Sequence, residues 1–592
     1  MDIFASVVYF GSCIALFAIL LVAVSFQKKV NVLVDLPIIY VFYECYCATI
    51  SGVLSLVGIP VHILSIGFIN LIFAATVYWF EVRKRPKVVF REQFVFELFD
   101  IVFYMLYTTV VLMLADKRFA PGFRIAFETS DPSVHLMAAL GIVQKGRVTS
   151  MFFSALTHAL NIELMKPLFS EMFTYKSFII QEVVNFFISG AVLYSCLKKY
   201  MTGRLAKVLS SFLIVVLTLG YAYNNLLFGF VYLWQTITVI CALFFAVDLY
   251  FADAVKEEWA LCSLSVLCVG IGIGYTLFVP PVFVALFFCI LMKNKEALFS
   301  KKWSSLFRLC VTEFLVFIPA VALIMVYIVL GGENALGVGD LVGEGYIFRN
   351  LLFDFVLLLP FAMDGVYQSF KTKKTNLFSF LGPILLIYCL IMYNAMISGQ
   401  ISTYYYYKLN YLNWAVLSLL SLWSMVRLSR VAKSYLVSFG VLWILIAWFG
   451  FSGTELKLYQ ENVLFDPYPA SDATFKIYRF NFDKTESPIL IDEDLVALCE
   501  YIYRDSGTGK LAKADFIGYW MHLFWFRALC FDRYDTSVTP PDVLLEAYQN
   551  NRIEYLMVMK DSEEYRAIAE RIDPRDIVFE NNFGFAMKKA GT

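Results

Sequence analysis

The sequence predicts a polytopic α-helical membrane protein that ends in a small α/β domain. Composition, the length of the apolar runs and the placement of basic residues all point this way. Of 592 residues, 60% are hydrophobic, 18% aromatic and 16% charged, and the mean hydropathy is +0.70. A soluble domain carries about 45–50% apolar and about 25% charged residues. Lysine plus arginine balances aspartate plus glutamate at 48 each, so no basic field is present to attract nucleic acid.

Apolar runs near the roughly 17–25 residues needed to cross a bilayer fall at 4–26, 37–57, 61–80, 96–115, 176–197, 205–223, 228–250, 258–276, 278–293, 308–330, 350–369, 376–396, 409–427 and 433–452, about fourteen spans in all. The first run has no basic segment before it and is expected to span the membrane rather than to be cleaved as a signal. Pro280 and Pro281 interrupt the ninth, which neighbouring helices in a membrane tolerate.

Alternate connections carry the positive charge: Lys28 and Lys29, then Arg83 to Arg91, Lys198 to Lys207, Lys293 to Lys302, Lys371 to Lys374, and Arg427 to Lys433. The positive-inside rule puts these on the cytoplasmic side. A multi-pass cell-membrane protein is expected, with the N-terminus, the loop 116–175, the connections 331–349 and 397–408 and the C-terminal region facing outward. ATP and nucleotide sugars are not available there.

Three parts follow from this reading. Residues 1–95 form an accessory group of transmembrane helices, residues 96–452 a transmembrane core with the outer loop 116–175, and residues 453–592 an extracytoplasmic α/β domain after a connector over 453–485. In that domain the patterns predict helices at 493–504, 541–551 and 562–572, a buried strand at 555–559 and a hairpin from 577–580 and 583–588. The run Asp505–Lys510 lacks the spacing of a phosphate loop and reads as a turn. Ten of the twelve cysteines lie in apolar runs and read as small buried hydrophobes. Cys499 and Cys530 are a possible disulfide of the outer domain.

The chemistry is concentrated in the outer loop. Between Phe127 and Gly146 the chain places Glu128, Asp131 and His135 among apolar residues. Thr129-Ser130-Asp131-Pro132 is a helix start, with Asp131 at the N-cap and Pro132 at N1. Two roles fit Asp131: it caps the helix, or it is a fixed carboxylate that serves as general base, with Glu128 as the alternative base. Val134 to Val143 is apolar at helical spacing and suits a helix on the membrane surface. His135, one turn from Asp131, is placed to hold a phosphate or to pack. A second surface helix, with His158 and Glu163, follows in the same loop. No tight ligand motif joins His135, His158 and Glu163, so no metal and no cofactor are assigned.

The other constellation is Ile401–Tyr411, where Tyr404 and Tyr405 precede Lys408. Interfacial tyrosines are common, but Lys408 opens a span on the side that basic residues avoid. A lysine there can neutralise a lipid phosphate, and Arg349 is a similar candidate. Asp354 and Asp364 sit within apolar runs and need partners.

These features together resemble a GT-C type glycosyltransferase, the polytopic class that uses polyprenyl-phosphate-linked sugars. The resemblance rests on an outer loop with an acid before helices (Asp131, His135), many closely connected spans, an outward Tyr/Lys stretch (Tyr404–Lys408) and the closing segment EYLMVMKDSEEYRAIAERIDPRDIVFENNFGFAMKK. It covers residues 96–592. It implies a GT-C-like fold and an inverting transfer of sugar from a polyprenyl-phosphate donor to a cell-envelope glycan or lipid acceptor among membrane lipids. Asp131 or Glu128 would be the base. Lys408, Arg349 and His135 would contact the donor phosphate, and Tyr404, Tyr405 and His158 the substrates. The chain departs from members with adjacent acids, because Pro132 follows Asp131. A polysaccharide polymerase or ligase and a lipid or sugar transporter are the alternative readings.

Overall fold

The computed structural model describes residues 2–26, 29–83, 93–127, 129–150, 153–169, 171–198, parts of 201–222, and 223–299, 302–331, 358–372, 374–431, 491, 493–506, 513–530 and 537–589. Glu128, Arg349, Asp354, the span 433–452, the connector 453–485, much of 205–223 and residues 350–357 of the span 350–369 lie outside the described residues.

Eleven described helices are long and apolar enough to cross a membrane, and each matches one of the predicted spans. A long apolar helix suits a bilayer because every backbone N–H and C=O between its terminal turns is satisfied within the segment. The protein is a multi-pass membrane protein. Its described helices include α1 (Asp2–Ser25), α2 (Val32–Leu56), α3 (Ile63–Val77), α4 (Leu98–Phe119), α5 (Asp131–Lys145), α6 (Phe153–Met165), α7 (Thr174–Lys198), α8 (Tyr223–Phe228), α9 (Val231–Phe251), α10 (Glu257–Gly274), α11 (Val279–Lys293), α12 (Trp303–Gly331), α13 (Leu359–Lys371), α14 (Leu377–Ile397) and α15 (Thr403–Val431).

The first helices are built into the bundle. Tyr327 Oη on α12 donates to the Ala48 carbonyl on α2 at 2.6 Å, and Ser195 Oγ on α7 donates to the Val34 carbonyl at 2.7 Å. Short parallel strands β1 (Val30–Asn31), between α1 and α2, and β2 (Phe94–Val95), just before α4, pair with one another. Asp364 has the partner its setting requires, because Arg427 Nη2 reaches its Oδ2 at 2.6 Å.

Several expectations need correction. Helices α5 and α6 do not lie on a surface. Leu136 to Leu140 and all of Phe153 to Glu163 are buried, because α6 is packed among α1, α5, α7, α9 and α10. Cys499 and Cys530 are both buried and both free, so no disulfide joins them.

The C-terminal part contains α16 (Glu493–Asp505), α17 (Trp520–Cys530) and α18 (Pro541–Gln549). Its sheet has the strand order β3-β4-β6-β5, with β3 (Ala514–Ile517), β4 (Tyr555–Met559), β5 (Ile577–Glu580) and β6 (Gly584–Lys588). Strands β3 and β4 are parallel, in the register Ala514↔Tyr555, and the β5–β6 hairpin is antiparallel as predicted. The helix predicted over 562–572 is replaced by one short helical turn, Glu563–Arg566, and one 3₁₀ turn, Ala569–Arg571. Ile568 is still buried, with Tyr565 and Ile572 packed on the same core, while the acidic and basic residues between them face outward. Trp525 of α17 is fully buried and stacks on Phe127, with ring centroids 5.7 Å apart and planes at 10°. The small domain thereby rests on the loop that leads to Asp131.

Candidate active site

The site is assembled from four short pieces: the first turn of α5, the α8–α9 turn, the break between α10 and α11, and the first turns of α15. Helix α8 ends at Gly229, whose φ of +78° belongs to the left-handed region, where glycine is the favoured residue. A Cβ on Gly229 would also stand 2.5 Å from Pro132 Cδ. Glycine therefore lets the α8–α9 turn touch the start of α5. His135 strengthens this seat through a hydrogen bond to the Gly229 backbone.

Helix α5 begins one residue earlier than the sequence pattern indicates. Ser130 is the N-cap, without a side-chain cap bond, and Asp131 is the first helical residue. The Ser130 carbonyl accepts from Ser133 Oγ at 2.6 Å, while Thr129 Oγ1 accepts from the Asp131 N–H at 3.3 Å. The expected N-cap role of Asp131 is thus corrected, and its carboxylate is not consumed by capping. Among the described residues that carboxylate makes no hydrogen bond or ion pair; its electrostatic neighbours are Lys408, Tyr404 and Tyr232. Burial pushes its pKa up to about 6, and the Lys408 charge pulls the other way.

Lys408 enters from α15, one turn after Tyr404. Its side chain is 2% exposed. Nζ donates to Tyr232 Oη at 2.8 Å and to Tyr404 Oη at 2.6 Å. Five rings surround it, with centroids at 3.9 Å (Tyr404), 4.7 Å (Phe230), 5.4 Å (Tyr232), 5.8 Å (Tyr275) and 5.8 Å (Tyr405). A lone buried ammonium is costly. Here ring faces attract it, each by about 0.5–2 kcal/mol depending on desolvation, and two hydroxyls accept from it. An ammonium has three N–H donors, and the third has no protein acceptor among the described residues.

The His135 ring lies 5.2 Å from that of Tyr232. Burial drives its pKa down to about 3, so the imidazole is neutral across the physiological range. His158 is placed differently. Its Nδ1 meets the Ser154 carbonyl and its Nε2 meets Glu182 Oε1, each at 2.5 Å, and its ring packs on Phe178. Both ring nitrogens are thus engaged by the protein, and the side chain is fully buried. Glu163 lies with neither histidine: its Oε2 accepts from the Ile63 N–H at 2.7 Å, at the start of α3.

The structure brings together Asp131, His135, Tyr404, Tyr405 and Lys408 from the sequence-based set. It adds Gly229, Phe230, Tyr232 and Tyr275. In the sequence these four look like ordinary ends of apolar spans; the only signals are a glycine between two runs and a tyrosine before the Val279-Pro280-Pro281 break. Chemically, the site offers a carboxylate able to take a proton and a caged ammonium with one free donor.

No protein-family model matches the chain, and no curated protein matches it. Among solved structures, the chain is similar to the oligosaccharyltransferase of Archaeoglobus fulgidus in its apo form, with 12% identity and a TM-score of 0.42 over 77% of this chain and 69% of that one. It is also similar to the Archaeoglobus fulgidus oligosaccharyltransferase AglB in complex with an inhibitory peptide and a dolichol-phosphate, with 12% identity and a TM-score of 0.37 over 78% and 70% of the two chains.

Proposed function

We propose that this protein is a membrane glycosyltransferase that moves a sugar from a polyprenyl-phosphate donor to a cell-envelope glycan or lipid acceptor on the outer face of the membrane. The observation that carries the reading is the convergence of Asp131 and Lys408. Among the described residues, a carboxylate without a hydrogen bond and an ammonium with an unused N–H are electrostatic neighbours that form no ion pair.

In the proposed reaction Asp131 takes the proton of the acceptor hydroxyl. The acceptor oxygen forms a bond to the anomeric carbon of the donor sugar, from the side opposite the phosphate. The bond between that carbon and the phosphate oxygen breaks, and its electron pair leaves on polyprenyl phosphate. The configuration is inverted. Lys408 offers its third N–H to the charge that develops on the leaving phosphate, where a preorganised donor in a dry site is most effective. Tyr232 and Tyr404 hold the ammonium in place, and His135 positions α5 through Gly229.

Asp131→Asn in the purified full-length protein tests the assignment. The variant is expected to bind lipid-linked donor as the parent does and to lose at least about a hundredfold in transfer rate. Transfer at the parent's rate would remove Asp131 from the reaction.

A further inference from the structure

The Tyr275 hydroxyl is buried and has no hydrogen-bond partner among the described residues. Buried hydroxyls are nearly always paired, and an orphan calls for an explanation. This one stands at a break between two membrane-crossing helices, where Gly274 ends α10 and Tyr275 takes an extended conformation with φ of −148°. Its ring centroid is 5.8 Å from Lys408 Nζ and 5.8 Å from the Tyr232 ring, and its nearest electrostatic neighbours are Tyr404 and Tyr405. It therefore belongs to the ring cage, but unlike Tyr232 and Tyr404 it gives Lys408 no hydrogen bond.

We infer that the Tyr275 hydroxyl is a binding group for the phosphate of the lipid-linked donor, completing with the free N–H of Lys408 a two-point clamp on one phosphate oxyanion. The inference rests on the proposed transfer reaction and names a residue of its donor site. Both groups are unused donors on the same cage, and both are shielded from water. A monoanionic or dianionic phosphate oxygen can accept from each of them, whereas a neutral sugar hydroxyl would repay the buried ammonium poorly. No bond is made or broken at Tyr275; its role is to bind.

The test is Tyr275→Phe, which removes one oxygen and keeps the ring, read in the full-length protein with farnesyl phosphate, farnesol and inorganic phosphate as probes. Farnesyl phosphate affinity should fall about tenfold, the scale of one hydrogen bond to a charged group. Farnesol affinity should not change. The melting temperature without ligand should stay level or rise, because an unpaired buried hydroxyl is gone. A merely structural tyrosine would behave in the opposite way, with a lower melting temperature and equal losses for both lipids, and that result overturns the inference. Unchanged farnesyl phosphate affinity overturns it as well. Inorganic phosphate that binds as tightly as farnesyl phosphate, with the same dependence on Tyr275, would overturn the lipid as the source of the phosphate. Lys408→Met separates the two claims. If it weakens farnesyl phosphate while Tyr275→Phe does not, only Tyr275 is reassigned; if neither does, the donor site itself is misplaced.

Discussion

Gly229 lies against Pro132 so closely that a Cβ on the glycine would sit 2.5 Å from the proline Cδ. This contact seats the first turn of α5, and Asp131 is the residue next to Pro132. Gly229→Ala adds that Cβ at a φ of +78°, where an L-residue costs about 1–2 kcal/mol, and overpacking costs about 1–3 kcal/mol more. The variant should melt several degrees lower and lose about a hundredfold in transfer, since a displacement near 1 Å at a reacting group is enough for that. A transfer assay on the folded variant decides it; full activity would show that the seat does not position Asp131.

The pH profile follows from Asp131. Its pKa is raised to about 6 by burial, and a general base works only when deprotonated. The transfer efficiency, kcat/KM, is expected to rise with pH through about 6 with a slope of one proton. His135, held down to about 3, stays neutral and adds no second limb in this range. A profile flat between pH about 5 and about 8 would exclude Asp131 as the base.

Much of the architecture is legible in the sequence because a membrane helix satisfies its own backbone, so that length and hydropathy alone mark it. The strand 555–559 and the hairpin after it are equally visible, since alternation and turn residues specify them locally. The site is legible only in part. Lys408 announces itself by its place at the end of a span that basic residues avoid. Phe230, Tyr232 and Tyr275 carry no such mark, because aromatic residues at span ends are ordinary and only tertiary packing makes them a cage. The N-cap assignment missed by one residue, with chemical consequence: Ser130 caps the helix, and Asp131 keeps its carboxylate. Helices α5 and α6 misled for a related reason. Their hydrophobicity is too modest for a span, and burial by neighbouring helices cannot be read from one helix alone.

Glu163 provides a test of stability separate from catalysis. Its Oε2 accepts from the Ile63 N–H at 2.7 Å, and burial raises its pKa to about 7. The folded value lies above the ordinary 4.5, so the folded state holds the proton longer than the unfolded one. This group's contribution is therefore fullest below about 4.5 and is lost as pH climbs through about 7. Glu163→Gln is neutral at every pH and retains an acceptor for Ile63. Its melting temperature should gain on that of the parent between about pH 5 and about pH 8. Parallel melting curves across that range would mean that Glu163 is charged throughout in the folded protein.

The stack of Trp525 on Phe127, 5.7 Å apart and nearly parallel, links the small domain to the loop that carries Asp131. Aromatic pairs of this kind contribute about 0.5–1.5 kcal/mol beyond the area they bury. A double-mutant cycle with Phe127→Leu and Trp525→Leu should therefore show coupling of about 1 kcal/mol in thermal or denaturant unfolding. If the stack also holds the loop, each single variant should lower transfer several-fold, and the double variant should lower it by less than the product of the two. Strict additivity in both stability and rate would show that the two rings are neighbours without mutual support, and the C-terminal domain would then have to influence Asp131 through some other contact. The packing supplies one such contact, because α17 touches α5 directly.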